Sequence, residues 1–221
     1  MTPFTVLHVC VGNICRSPMA ERLFALALRR RVGDDLDKLY LSHGAGTGSW
    51  HVGEPMNAPA ARQLTSRGGD PRGFRARRLT ERMIDVSDLV LCATAQQVRD
   101  VLELRPDAAH KTFVLGEFGR LLADLDPRVL PHNDGSPQAA SDRGRALVVA
   151  VDASRGGGGV WGSDGQRRAR SRREDDLDDP WGMADREFAR VADEIERTVL
   201  PLAHALTESA DSRLEPPGRP G

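Results

Sequence analysis

The chain has 221 residues, a formal charge of −1, 39% hydrophobic residues and three cysteines. A near-neutral charge argues against a general nucleic-acid or membrane-surface binder, and no apolar run approaches the roughly 18 residues that cross a bilayer. So few cysteines, in odd number, argue against a disulfide framework or an all-cysteine zinc site; with no signal-like N-terminal segment, they point to the cytoplasm.

Residues 4–9 form an apolar run, Phe4 to Val9, that reads as a first strand. Cys10-Val11-Gly12-Asn13-Ile14-Cys15-Arg16-Ser17 follows directly, and a helix is expected over 18–31, with Ala20, Leu23, Phe24, Ala27 and Leu28 on one face. Strand, tight loop and helix N-terminus together make an anion site from backbone N–H groups. Gly12 and Asn13 are types that tolerate positive φ, Ser17 suits an N-cap and Pro18 the first helical position. All 31 basic residues but Lys38 and Lys111 are arginine, so Cys-x5-Arg alone says little. The surrounding residue types make it informative, against the bland alternative of a buried cysteine before an ordinary turn. A helix N-terminus and a guanidinium both favour a thiolate. Cys10 is therefore a candidate nucleophile and Arg16 a bidentate clamp for phosphate oxygens.

A second strand is expected at 38–42, a helix at 57–67 closed by Gly68 and Gly69, and a short helix at 81–85. Residues 88–93 read as a third, buried strand holding Cys92, an ordinary core cysteine; a helix at 95–104, a strand at 111–115 and a helix at 116–125 follow. Strand–helix alternation implies a four-stranded parallel sheet with helices on both faces and the ligand beyond the strand carboxyl ends. Residues 127–176 read as an insert, with an extra helix at 140–153 and a flexible Gly- and Arg-rich linker at 154–176. Asp175 and Asp176 are expected to be solvated linker charges. In Asp178-Asp179-Pro180-Trp181, Pro180 holds Asp179 extended, so either aspartate can present a carboxyl to a pocket. A helix at 184–207, kinked at Pro201, completes a single domain over 1–208, with 209–221 as a disordered tail. The six histidines show no metal-ligand spacing.

The stretch from Val9 to Glu21 resembles the signature of the low molecular weight protein-tyrosine phosphatase family. The resemblance covers about 4–125 and 177–206 and implies the flavodoxin-like fold of phosphotyrosine phosphatase I. It implies hydrolysis of protein phosphotyrosine and small aryl phosphates through a cysteinyl-phosphate, with inorganic phosphate as product and neither metal nor cofactor. By resemblance Cys10 is the nucleophile, Arg16 the phosphate clamp and Asp179, in an Asp-Pro-aromatic motif, the general acid. Val11, Gly12, Asn13, Ile14, Cys15 and Ser17 make the phosphate loop, with Cys15 able to trap an oxidised Cys10 as a disulfide. Trp50, beside His51 in a variable loop, and Trp181 flank the substrate. Two departures stand out. Gly182 replaces a second aromatic residue after Asp-Pro, and Gly44 replaces a serine that supports the loop asparagine, a task Ser42 is placed to assume only if its strand continues.

Three other readings share the fold. Thiol-dependent arsenate reductases use a downstream cysteine pair, whereas only Cys92 lies downstream here. Phosphoarginine phosphatases tend to carry Thr where this chain has Ile14. A non-catalytic phosphate-binding scaffold would have little use for Cys10, Arg16 and Asp179 together.

Overall fold

The computed structural model describes residues 2–156 and 175–208. Most of the Gly- and Arg-rich linker, and the tail from 209, lie outside the described residues.

Four parallel strands, β1 (Phe4–Cys10), β2 (Tyr40–Gly46), β3 (Leu89–Cys92) and β4 (Thr112–Val114), form a sheet in the order β2-β1-β3-β4. Among the described residues, eight α-helices connect or follow them: α1 (Arg16–Val32), α2 (Leu36–Leu39), α3 (Ala58–Ser66), α4 (Glu81–Asp85), α5 (Ala95–Leu104), α6 (Leu115–Ala123), α7 (Pro137–Gly156) and α8 (Asp185–Thr207).

Every residue of β1 is buried, as the central strand of a sheet covered on both faces requires. Successive strand side chains point to opposite faces, and the core divides accordingly. Phe4 and Val6, with Leu89 and Leu91, pack against α1, α6 and α8 through Phe24, Leu28, Phe118, Phe188 and Ile195. Leu7 and Val9, with Val90 and Cys92, meet Ile84 of α4 and Val101 of α5 in a smaller cluster.

The second strand runs beyond the expected Ser42 to Gly46, in register with β1 from Phe4↔Tyr40 to Cys10↔Gly46. Gly44, Ala45 and Gly46 carry too little side chain to announce a strand; backbone pairing with β1 makes one. The extra helix is also longer than 140–153. Its residues Ala140, Leu147, Val148 and Val151 join the main core. Arg143 donates to the carbonyls of Ala205 at 2.6 Å and Pro131 at 2.7 Å, and Arg145 pairs with Asp88 at 3.0 Å. The helix thus braces the N-terminal ends of the strands, away from the loop that follows β1. The last helix continues through Pro201.

Two histidines are buried in the sheet. Neither ring nitrogen of His8 has a hydrogen-bond partner, and burial, with a smaller push from His43, lowers its pKa from 6.5 to about 3. His43, bonded to the Ser87 hydroxyl at 2.9 Å, is lowered from 6.5 to about 4 by burial and then by Arg77. Both are neutral in the fold, whereas in the unfolded chain both take up protons below pH 6.5. Stability attributable to them is therefore complete above that pH. It falls with decreasing pH by about 1.4 kcal/mol per unit for each histidine, until the folded values are reached. Urea unfolding across pH 7 to 4 should show His8→Leu shedding one proton's share of this slope. Superimposable slopes for the variant and the parent would contradict the assignment.

Candidate active site

The loop between β1 and α1 places Cys10 at the last position of the strand and Arg16 at the first of the helix. Only Asn13, among the described non-glycine residues, has positive φ, at 53°, a conformation asparagine tolerates better than most. Gly12 was expected to share it but does not. Its lack of a side chain serves packing instead, because a Cβ there would lie 2.9 Å from Cδ2 of His51.

The backbone N–H of Arg77 donates to Asn13 Oδ1 at 2.8 Å, so the Asn13 amide nitrogen faces Ser17 Oγ, also at 2.8 Å. Ser17 Oγ accepts from that amide and has two groups within reach of its one proton, Cys10 Sγ at 3.0 Å and the Ala45 carbonyl at 3.4 Å; towards a thiolate, which has no proton of its own, it is the donor. A second donor, the Asn13 N–H, reaches Sγ at 3.3 Å. Two donors converging on one sulfur is an arrangement suited to a thiolate. Ser17 is therefore not the N-cap; Cys15 occupies that position without a side-chain cap, and the first turn holds no acidic residue. The amides of that turn have no intrahelical acceptor and lie at the positive end of the helix dipole, which makes the loop receptive to an anion.

Cys15 is 4% exposed. Burial above all, then the neighbouring Cys10 and Asp179, push its thiol up to about 12, so it stays protonated at neutral pH. All three cysteines are free, and burial also raises the pKa of Cys92.

Neither Ser42 nor a serine at 44 holds the loop. Ser42 Oγ donates to the main-chain oxygen of Glu21 at 2.9 Å and leaves Asn13 alone. A Cβ on Gly44 would lie 2.9 Å from Glu21 Oε2 and 3.0 Å from Asn13 Nδ2, so the Glu21 carboxyl already occupies that space. Burial raises the pKa of Glu21 against the pull of Arg77 and Arg22, which stand 3.5 and 3.4 Å away. Sequence reasoning placed Glu21 within the signature and gave it no task; its helical spacing from Ser17 was the available signal.

Arg16 joins the loop to the distant aspartate. Its side chain is only 5% exposed; Nη1 donates to the Leu177 carbonyl at 3.0 Å and Nη2 to Asp179 Oδ2 at 2.7 Å. Asp179 Oδ1 accepts from the Trp181 N–H at 3.2 Å. Of the two candidate aspartates, Asp178 turns instead to Arg190 on α8, at 2.8 Å. Asp175 and Asp176 are not free linker charges. Asp175 pairs with Arg120 at 2.8 Å, and Asp176 Oδ1 accepts from the Ala95 N–H at 2.7 Å.

Aromatic residues line the approach. The His51 ring lies 5.2 Å from that of Trp181 and 6.3 Å from that of Trp50, and its Nδ1 meets Glu54 at 2.8 Å. Trp50 is 66% exposed and lies over its own loop; a Cβ on Gly48 would come within 2.4 Å of its ring. His51 is thus the ring against the loop. Gly182 has φ of 74° and supports the turn in which Met183 N donates to Pro180 O at 2.9 Å, which is why no aromatic side chain follows Trp181. Among the described residues, no group of three or more His, Cys, Asp or Glu side chains is placed to hold a metal ion.

The sequence model of the low molecular weight phosphotyrosine protein phosphatases matches residues 5–127, more than half of the chain. The chain belongs to this family. Low molecular weight protein-tyrosine phosphatase A of Mycobacterium tuberculosis is 37% identical over 131 residues, spanning 59% of this chain and 72% of that protein. The crystal structure of the Erwinia amylovora tyrosine phosphatase AmsI superposes with a TM-score of 0.60 over 93% of this chain and 95% of that one, at 20% identity. The YwlE arginine phosphatase from Geobacillus stearothermophilus gives 0.58 over 92% and 93%, at 23% identity. At these identities the structural matches establish the fold, and family membership rests on the sequence. Within this phosphatase family, the loop bearing Cys10 and Arg16 lies inside the matched region, whereas Asp179 lies outside it. No helix among the described residues is long and apolar enough to cross a membrane.

Proposed function

We propose that this phosphatase hydrolyses phosphotyrosine in proteins, and small aryl phosphates, through a cysteinyl-phosphate on Cys10. The observation that carries the reading is one side chain, Arg16, set where the phosphate loop enters its helix and bonded to Asp179 at 2.7 Å. That contact brings nucleophile, clamp and acid into one site from segments 163 residues apart.

The steps follow from the placement. A phosphate dianion enters the cradle of Val11, Gly12, Asn13, Ile14, Cys15 and Ser17 and competes with Asp179 for the guanidinium. Arg16 uses two of its five donor hydrogens on protein groups, and its Nε has no protein acceptor. It therefore has donors for two phosphate oxygens. Asp179, with the guanidinium drawn off and a dianion beside it, takes up a proton. Cys10 Sγ attacks phosphorus, the bond to the aryl oxygen breaks, and Asp179 passes its proton to the departing phenolate. Water then attacks the phosphorus of the cysteinyl-phosphate, Asp179 receives a proton from it, and the S–P bond breaks to give inorganic phosphate and the thiolate. Loop amides and Arg16 hold the equatorial oxygens throughout. His51, Trp50 and Trp181 provide a rim against which a substrate ring can pack.

Residues 1–208 act in this reading as one catalytic domain with an insert at 127–176, of which α7 is the bracing part. Three free cysteines suit a cytoplasmic location. Neither nucleic acid nor membrane enters the reading.

Asp179→Asn should lower kcat/KM for phenyl phosphate by about 100-fold or more, the lower end of what general acid catalysis supplies, with little change in thermal stability. Equal activity of this variant and the parent, or the same loss from Asp178→Asn, would move the acid elsewhere. Substrate class is tested by hydrolysis of a phosphotyrosine peptide, a phosphoarginine peptide and p-nitrophenyl phosphate, alongside thiol-dependent arsenate reduction. Preference for the phosphotyrosine peptide is expected. Preference for phosphoarginine, arsenate reduction in its place, or phosphate binding without turnover would replace the reading with the corresponding alternative.

A further inference from the structure

The segment from Asp175 to Pro180 forms neither helix nor strand, yet its aspartates point in different directions with different partners. Asp175 takes Arg120, and Asp178, 70% exposed, shares Arg190 with Glu187 and Glu194. Ion pairs as exposed as that of Asp178 constrain a backbone weakly. Leu177 is held more firmly: it is buried, its N–H donates to the Ala93 carbonyl at 2.8 Å, and its carbonyl accepts from Arg16.

Asp176 is bound to the frame of the sheet. Its Oδ1 accepts from the N–H of Ala95, the first residue of α5, three residues beyond the end of the four-residue strand β3. Thr94 Oγ1 meanwhile accepts from Gln96 N at 3.2 Å, so the first two amides of α5 each have a side-chain oxygen. A carboxylate on such an amide, at the positive end of a ten-residue helix, makes a charge-assisted bond of defined direction.

We infer that Asp176 is a positioning residue for the proton donor, fixing Asp179 opposite Cys10 by tying the acid segment to the N-terminus of α5. The inference rests on the reading of Asp179 as the general acid. With Leu177 fixed at Ala93 and Arg16, the bond from Asp176 sets the direction from which the chain arrives. Only two residues then separate that anchor from Asp179. Without it the segment keeps Leu177 in the core but loses one of the constraints on how it turns towards the loop.

The experiment compares kcat/KM, which reports through the step in which the aryl oxygen leaves, on two substrates. Phenyl phosphate releases a phenol of pKa about 10, the tyrosine value, and needs the acid; 2,4-dinitrophenyl phosphate releases an anion that needs no proton. Asp176→Ala should lower kcat/KM about tenfold on phenyl phosphate, a part of the roughly hundredfold that ångström-scale misplacement costs, and leave the dinitrophenyl ester nearly unchanged. In an Asp179→Asn background the same substitution should cost nothing further. Asp176→Asn, which keeps an oxygen acceptor, should restore most of the loss. If Asp176→Ala does not fold, Asp176→Glu, which displaces the carboxylate by one methylene, should give the same substrate-graded loss.

Equal losses on both esters, no loss on either, or a further loss in the Asp179→Asn background would overturn the positioning role. Failure of the underlying reading looks different: Asp179→Asn itself would then show no dependence on the leaving group.

Discussion

Cys10→Ser is expected to reduce turnover of aryl phosphates by about 10⁴-fold or more, the scale on which removing a covalent nucleophile costs an enzyme. A serine hydroxyl at this position would keep its proton, because the site holds donors for a sulfur anion rather than a base to accept that proton. Ser17 Oγ and the Asn13 N–H both point at Sγ, at 3.0 and 3.3 Å. His51 Nδ1 is occupied by Glu54, and His8 is sealed in the sheet at 1% exposure. Arg16 and the first-turn amides survive the substitution, so vanadate and inorganic phosphate should still bind with affinity close to that of the parent. Calorimetric titration with vanadate beside an assay on p-nitrophenyl phosphate separates the two effects. Turnover near the parent's in Cys10→Ser would end the nucleophile assignment, and loss of vanadate affinity along with turnover would mean that the substitution had collapsed the loop.

Gly46→Ala is the second large effect, and it concerns a residue without charge or unusual backbone. Gly46 ends β2 opposite Cys10. Its N–H donates to Arg77 O at 2.8 Å, its carbonyl accepts from Leu79 N at 2.7 Å, and the phosphate loop passes directly over it. A Cβ would stand 2.5 Å from the Val11 carbonyl oxygen and 3.0 Å from Asn13 N. Those neighbours are backbone, so relief requires moving the loop whose amides must converge on a phosphate. A displacement of about an ångström in such a cradle costs on the order of 100-fold in kcat/KM. The overpacking itself destabilises by about 1–3 kcal/mol.

Gly144→Ala provides the comparison, because a Cβ there would come within 2.4 Å of the Phe4 ring, at the opposite end of β1 from Cys10. It should lower the melting temperature and leave kcat/KM alone. Gly46→Ala with unaltered kinetics, or Gly144→Ala with a comparable kinetic loss, would contradict this account of the loop.

These cases show how much of the site the sequence made legible. Cys10, Asn13, Arg16 and Pro18 were readable because each residue type suits one physical task and they are adjacent in the chain. The alternating strands and helices were readable from their periodicity, apart from the short α2, which takes residues 38 and 39 from the expected second strand, and the second half of β2, where small residues leave none. Supporting contacts across the chain were not readable. Arg77 offers only a backbone N–H to Asn13, which any residue but proline could offer. Asp176 looks in sequence like one more charge beside an Arg-rich linker and acquires its partner only when the chain returns to α5. Gly12 suggested a turn and Gly46 lay beyond the expected second strand, but at both positions the reason for glycine is the closeness of a neighbour, His51 in one case and the loop backbone in the other. Cys10 and Arg16 were identifiable from type and order and Asp179 from the family resemblance, whereas what holds them depends on distances that no spacing rule encodes.

The central claim, that phosphate passes through a covalent bond to Cys10, is tested most directly by acid-quenching the Asp179→Asn variant during turnover of 2,4-dinitrophenyl phosphate. The quenched protein is digested and its peptides are examined by mass spectrometry. The ester needs no acid to form the adduct, while the missing base slows its hydrolysis, so the intermediate should accumulate. A phosphoryl group on the peptide bearing Cys10, and none when Cys10 is also replaced by serine, is the predicted result. Dinitrophenol release with no phosphopeptide at any quench time, or with the phosphoryl group on another residue, would contradict it.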